Sequence, residues 1–164
     1  MEFLTSLFRS PIGRAVLVAL VLLAAGSLGK VWYDQNNIPP GKREGERAET
    51  ILKGAIAQLK ERVDADPKAP FPERAGWTPA VLTCGAPVHV TAAEANHPTW
   101  KALGMTFKEP TFHQYLFYTR DQEFWILART DFDCDGLYEV YRFRGGRGMT
   151  GLGSASLGVD NPGE

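Results

Sequence analysis

The sequence is short of the residues on which several common functions depend. Its two cysteines, Cys84 and Cys134, lie far apart and form neither a redox CxxC nor a zinc-ligand set. His89, His97 and His113 are scattered, with no HExxH and no close pair, so no zinc site is expected. The formal net charge is -1, with basic residues interleaved among acids, which removes the electrostatic case for nucleic acid. Ser6, Ser10, Ser27, Ser154 and Ser156 lie in terminal segments, and none stands in a G-x-S-x-G elbow. No glycine-rich phosphate loop precedes a helix, since Gly145-Gly146-Arg147-Gly148 follows a strand-like run and leads into more glycine. There is no internal repeat.

What is present begins with an apolar run. Ala15 to Gly29 (AVLVALVLLAAGSLG) is uncharged, with Arg9 and Arg14 before it and Lys30, Trp32 and Tyr33 behind it. Basic residues on one side and interfacial aromatics on the other are the flanks of a membrane segment, and Pro11 to Tyr33 is long enough to cross a bilayer. A secretory signal cut near Ala24-Ala25-Gly26 is the alternative. Both readings export the remainder. The expected organisation is a cytoplasmic flank and transmembrane helix over 1–33, a hinge over 34–42 at Pro39-Pro40, a globular domain over 43–145 and a flexible tail over 146–164. The expected location is the inner membrane, single-pass, with the domain in the periplasm or extracellular. In that oxidising setting an even cysteine count reads as one Cys84–Cys134 disulfide, contributing about 2–4 kcal/mol.

The 164 residues, 44% hydrophobic and 23% charged, are enough for one folded domain plus its leader. Leu52, Ile56, Leu59 and Val63, widened by Ile51 and Ala55, predict an amphipathic helix from about 43 to 63. A loop rich in proline follows, with Trp77 as its anchor into the core. His97 to Gly104 reads as one helical turn, capped by Thr99 and ended by Gly104. Thr111–Thr119, Glu123–Thr130 and Leu137–Phe143 are strand-like, with connections short enough for an antiparallel meander. The fold class is therefore α+β, an amphipathic helix packed on a three- to four-stranded antiparallel sheet. The aromatic stripes from Tyr115 to Phe143 are expected to be core and cross-strand pairs.

The chemically distinctive stretch is Asp131-Phe132-Asp133-Cys134-Asp135-Gly136. Three carboxylates at alternate positions, followed by a glycine where the chain must turn, suit a hard cation with oxygen ligands, above all Ca2+. The expected ligands are Asp131, Asp133 and Asp135 through their side chains, Leu137 through its carbonyl, and Glu139. An EF-hand loop needs a bidentate glutamate where this chain has Arg142, and the next segment reads as strand, so binding is expected to be weak. A metal-free acidic turn is the alternative. No second acidic cluster sits in an apolar setting that would raise one carboxyl pKa for acid–base hydrolysis.

The order of parts resembles the type IV pilin-like proteins, and more closely pilin-like globular domains of myxobacterial type. The residues that carry the likeness are Cys84-Gly85, Trp100 with Leu103-Gly104, Tyr115 with Tyr118, Phe124 with Ala128, and Asp131, Asp133, Asp135 and Gly136. It spans residues 80–145 well and the two helices in outline. Pilins are processed at a glycine ahead of an apolar segment carrying a glutamate. Here Gly13 is followed by Arg14-Ala15-Val16-Leu17-Val18, and no acid lies between Pro11 and Tyr33. The resemblance therefore implies a non-catalytic, membrane-anchored accessory component of a type IV pilus or related secretion machine. Its partners would be membrane lipid through the N-terminal helix and other pilin-like subunits or envelope machine proteins. A Ca2+-dependent adhesion or ligand-binding module is the alternative.

Overall fold

Helix α1 spans Pro40–Ala65. Its first residue is a proline, tolerated there because the opening amides of a helix have no intrahelical acceptor. The hinge was expected to run to residue 42, but the helix is already under way from Pro40. Gly45, Ala48, Leu52, Ala55, Leu59 and Val63 form its buried stripe, with Ile51 and Ile56 on the flanks. Small residues at 45, 48 and 55 let the helix lie close to what it covers. These features belong to a computed structural model that describes residues 40–148, 151–153 and 156–160.

After α1 come β1 (Ala75–Thr78), two short helices, α2 (Ala92–Ala95) and α3 (Pro98–Ala102), and then β2 (Gln114–Arg120), β3 (Glu123–Thr130), β4 (Glu139–Gly148), β5 (Gly151–Leu152) and β6 (Ser156–Asp160). Every pairing is antiparallel. The sheet order is β1-β2-β3-β4-β5, with β6 also alongside β4. Asp121, at φ 55°, gives the tight β2–β3 hairpin the left-handed residue that such turns need.

Alternation along β3 decides the layers. Phe124, Ile126, Ala128 and Thr130 are buried on the face towards α1, while Glu123, Trp125, Leu127 and Arg129 are half-buried on the other. Tyr115 and Phe117 on β2 and Tyr141 and Phe143 on β4 complete the inner face. Phe117 stacks on Phe124 with centroids 6.4 Å apart, and Phe71 meets Phe124 edge-on at 5.6 Å. Burial of each such side chain contributes about 1.5–3 kcal/mol.

The architecture departs from expectation in three places. The sheet has six strands, not three or four. The extra strands come largely from residues 146–164, expected to be a flexible tail. β4 runs on to Gly148, and β6 returns along it with Leu157 opposite Phe143. The free edge of β4 offers a row of backbone donors and acceptors, and the small residues of the tail let the chain fold back to meet them. Finally, among the described residues no helix is long and apolar enough to cross a membrane. The predicted membrane segment over 1–33 lies outside the described residues, as do positions 34–39 of the hinge. The described fold is one helix on a six-stranded antiparallel sheet, and it does not contain the transmembrane helix of the expected fold class.

Two tryptophans exchange roles. Trp100, not Trp77, is fully buried, and its Nε1 donates to Thr78 Oγ1 at 3.1 Å. Trp77 is half-buried beneath the Arg129 guanidinium, 4.0 Å from the ring centroid. His97, not Thr99, caps α3, its Nδ1 accepting from the Thr99 amide, while Thr99 Oγ1 donates to the Glu73 carbonyl at 2.7 Å. Gly104, at φ +66°, ends that turn as expected.

Candidate metal centre in the disulfide-locked loop

β3 ends at Thr130 and the chain enters the aspartate loop. Cys134 there is bonded to Cys84, with Cα atoms 5.3 Å apart and a sequence separation of 50. Beside the bridge the Gly85 amide donates to the Asp131 carbonyl at 3.3 Å. Gly85 has φ +63°, and a Cβ on it would lie 3.5 Å from Cys134 Sγ and from the Phe132 carbonyl oxygen. The left-handed backbone favours glycine next to the cysteine, while the space there would admit a Cβ at ordinary contact distance. Phe132 packs on Phe112, centroids 5.2 Å apart, so the loop is held by a ring contact as well as by sulfur.

Within the loop each aspartate accepts from an amide further along. Asp131 Oδ1 takes the Cys134 N–H at 2.9 Å, Asp133 Oδ1 the Asp135 N–H at 3.3 Å, and Asp135 Oδ1 the Leu137 N–H at 2.6 Å. Cys134 and Gly136 both have positive φ, 71° and 86°. These side-chain bonds curl the backbone so that one carboxylate oxygen from each of Asp131, Asp133 and Asp135 lies within 4.8 Å of the others. Two oxygens on a single Ca2+ are at most about 5 Å apart, twice a 2.3–2.6 Å bond, so the three fit one ion's first shell. Carboxylate oxygens are the donors that such a cation prefers. Asp133 and Asp135 are exposed and Asp131 half-buried, so water can complete the coordination.

The other two predicted ligands stand differently. Leu137 was expected to offer its carbonyl, and neither its exposed side chain nor the bond from its amide to Asp135 Oδ1 engages that oxygen. Glu139 is buried on the inner face of β4, opposite Thr130, and its Oε1 accepts from Tyr141 Oη at 2.8 Å. It is not among the converging carboxylates. β4 begins at Glu139, and its first side chain points under the sheet, towards Gly45 of α1.

That inner corner was not legible in the sequence. A Cβ on Gly45 would fall 2.0 Å from Tyr141 Oη, so the helix approaches the hydroxyl closely enough to require glycine. Beside Tyr141 lies His113, fully buried, with ring centroids 6.1 Å apart and Nε2 without a hydrogen-bond partner. Burial, and then the positive charge of Arg47, lower its pKa from 6.5 to about 4. Burial raises Tyr115 to about 12. Burial raises Tyr141 still more, and the hydrogen bond to Glu139 adds to the shift. A buried glycine in line with the α1 stripe was the one available signal. His113 and Tyr141 lie against α1 in the core, whereas Tyr115 also reaches the wall of an open cleft of about 250 Å3 that it lines with Arg47, Phe107 and Glu109.

No family model, curated protein or solved structure matches this chain.

Proposed function

We propose that this chain is a membrane-anchored accessory component of a type IV pilus or related secretion machine, working through contacts with other envelope proteins. What supports the reading is the arrangement of a long amphipathic helix along one face of an antiparallel sheet, with a disulfide closing the loop after β3. A disulfide suits export, as does the apolar run at 15–29. On this reading the domain lies in the periplasm or outside the cell, attached to the inner membrane. Co-purification with pilus or secretion-machine proteins from membranes tests the assignment. Recovery of the mature chain in the cytosol with both thiols reduced would overturn it.

A second reading, a Ca2+-dependent extracytoplasmic adhesion or ligand-binding module, is favoured by the convergence of Asp131, Asp133 and Asp135. With free Ca2+ at a hundred times its Kd, binding to the folded state alone would add about 2.7 kcal/mol of stability. Asp133→Ala should then lower the melting temperature distinctly more in Ca2+ than in chelator, where only its bond from the Asp135 amide is lost. Equal shifts in both would count against a bound ion.

A further inference from the structure

The sheet ends on two edges of different character. β1 is four residues long, and its register against β2 slips between Ala75 and Thr78, the kind of irregularity that blunts an edge. β6 has five residues in unbroken register with β4, from Ser156 opposite Arg144 to Asp160 opposite Val140. Among the described residues β4 is its one neighbour, so the far side of β6 presents unpaired backbone donors and acceptors. The strand carries no proline and no bulge, and its single charge, Asp160, stands at its end. Leu157 and Val159 lie opposite Phe143 and Tyr141, hence on the inner face, where Leu157 packs on the core and Val159 stays 37% exposed. Of the large apolar side chains most exposed among the described residues, Val159 is the one on a strand. Ser156, Gly158 and Asp160 take the outer face. A Cβ on Gly158 would meet nothing within 4 Å, so packing within this chain does not call for the glycine. Glycine weakens a strand interior and often marks the close approach of another backbone.

The strand is complementary to itself. Set antiparallel to a second copy about a two-fold axis at Gly158, all five of its residues find partners. Leu157 then meets Val159 of the second copy and Val159 meets its Leu157, which carries the inner apolar row across the joint. Gly158 meets Gly158, with no side chain between the backbones at the axis. Asp160 meets Ser156, and the two aspartates stand about 14 Å apart, four residues along the strand. A parallel pairing would set these like charges side by side. A one-residue slip would turn Leu157 and Val159 to opposite faces.

We propose that a second copy of this chain docks on the free edge of β6, antiparallel and centred on Gly158, so that one sheet runs through both copies. An edge of five residues is a small interface, so the dimer forms and dissociates readily. The proposal needs neither the pilus assignment nor an ion at the aspartate loop.

Disulfide trapping on the purified full chain tests it. Cys84 and Cys134 are bonded to each other, so a cysteine introduced in β6 supplies the free thiol. Gly158→Cys places that thiol's Cα about 4.5–5.5 Å from its counterpart in the second copy, within disulfide range. Under mild oxidation, Gly158→Cys chains should link to one another at least tenfold faster than Ser156→Cys chains or Asp160→Cys chains do among themselves. An equal mixture of the last two should link across. Val159→Lys, which sets a charge against Leu157 of the second copy, should slow the linking of Gly158→Cys chains at least tenfold. Positions 156, 159 and 160 are exposed and Gly158 has open space, so melting temperatures should stay close to that of the parent. Equal rates at 156, 158 and 160, or a rate at 158 indifferent to Val159→Lys, would overturn the proposal. Fastest linking among Ser156→Cys chains would overturn the antiparallel two-fold by marking another register or direction.

Discussion

On the inner face of the sheet aromatic rings meet one another and α1 and are buried. On the outer face rings of the same kinds meet guanidinium groups in contact with water. Phe124 and Trp125 are adjacent in the chain, yet one is completely buried beneath Phe71 and Phe117 and the other is half-buried between Tyr118 and Arg144. Stability should therefore be concentrated on one face, and the other is free to vary for recognition. Arg129 extends the contrast, its guanidinium lying between Trp77 and Tyr138 at 4.0 and 4.6 Å from their centroids. A cation over an aromatic face keeps its charge available at a modest gain.

The comparison is tested most severely by truncating Phe124. Phe124→Ala should destabilise the domain by about 3–5 kcal/mol in urea unfolding, the cost of a large cavity in a packed core. A loss below about 1 kcal/mol would mean that the inner face is not the close-packed one. Next in size is the bridge. Cys84→Ser should cost about 2–4 kcal/mol by releasing a long loop in the unfolded chain. It should also make Cys134 open to alkylation without reductant. Because the bridge lies outside the core, its loss should add to that of Phe124→Ala when the two are combined.

How far the sequence carried is itself instructive. Helix α1, strands β2 to β4 and the disulfide were readable because each depends on a local pattern. These were apolar residues at helical spacing, aromatic and branched runs with short connections, and an even cysteine count. Strand β6 was not readable. Ser156-Leu157-Gly158-Val159-Asp160 has too few large residues to signal a strand, and what makes it one is the unpaired edge of β4, a feature of the fold. The aspartate loop was legible in its three carboxylates. Glu139 was misjudged because counting along the loop ignores the point where β4 begins and the side chain turns inward. His113 gave no sign at all of its burial, since a histidine before a strand is equally at home on the surface.

That histidine sharpens the contrast through pH. In the fold its pKa is about 4, against 6.5 unperturbed, so between those values the unfolded chain binds the proton and the folded chain does not. Its contribution is whole above pH 6.5 and is lost as pH falls towards 4, by about 3 kcal/mol at most. The groups facing it are the Tyr115 and Tyr141 rings and, through its charge, Arg47. Comparison of urea unfolding at pH 7 and pH 4.5 should show a smaller acid loss in His113→Phe than in the parent. Identical losses would mean that His113 is not held neutral inside.

The smallest effect belongs to the outer face. Trp125→Ala gives up a parallel stack on Tyr118 and a loose cation contact but opens no enclosed cavity. It should cost about 1 kcal/mol, the scale of one exposed aromatic pair. Arg144→Gln removes an exposed ion pair with Glu123 and should cost less still, with the difference vanishing at high salt. Measured beside Phe124→Ala under the same conditions, Trp125→Ala separates two explanations for an aromatic row on this face. If the row were core in all but exposure, the two losses would be similar. If it is a surface kept for contact, a several-fold smaller loss should accompany an unchanged cooperativity of unfolding, because the α1 side of the sheet is left intact.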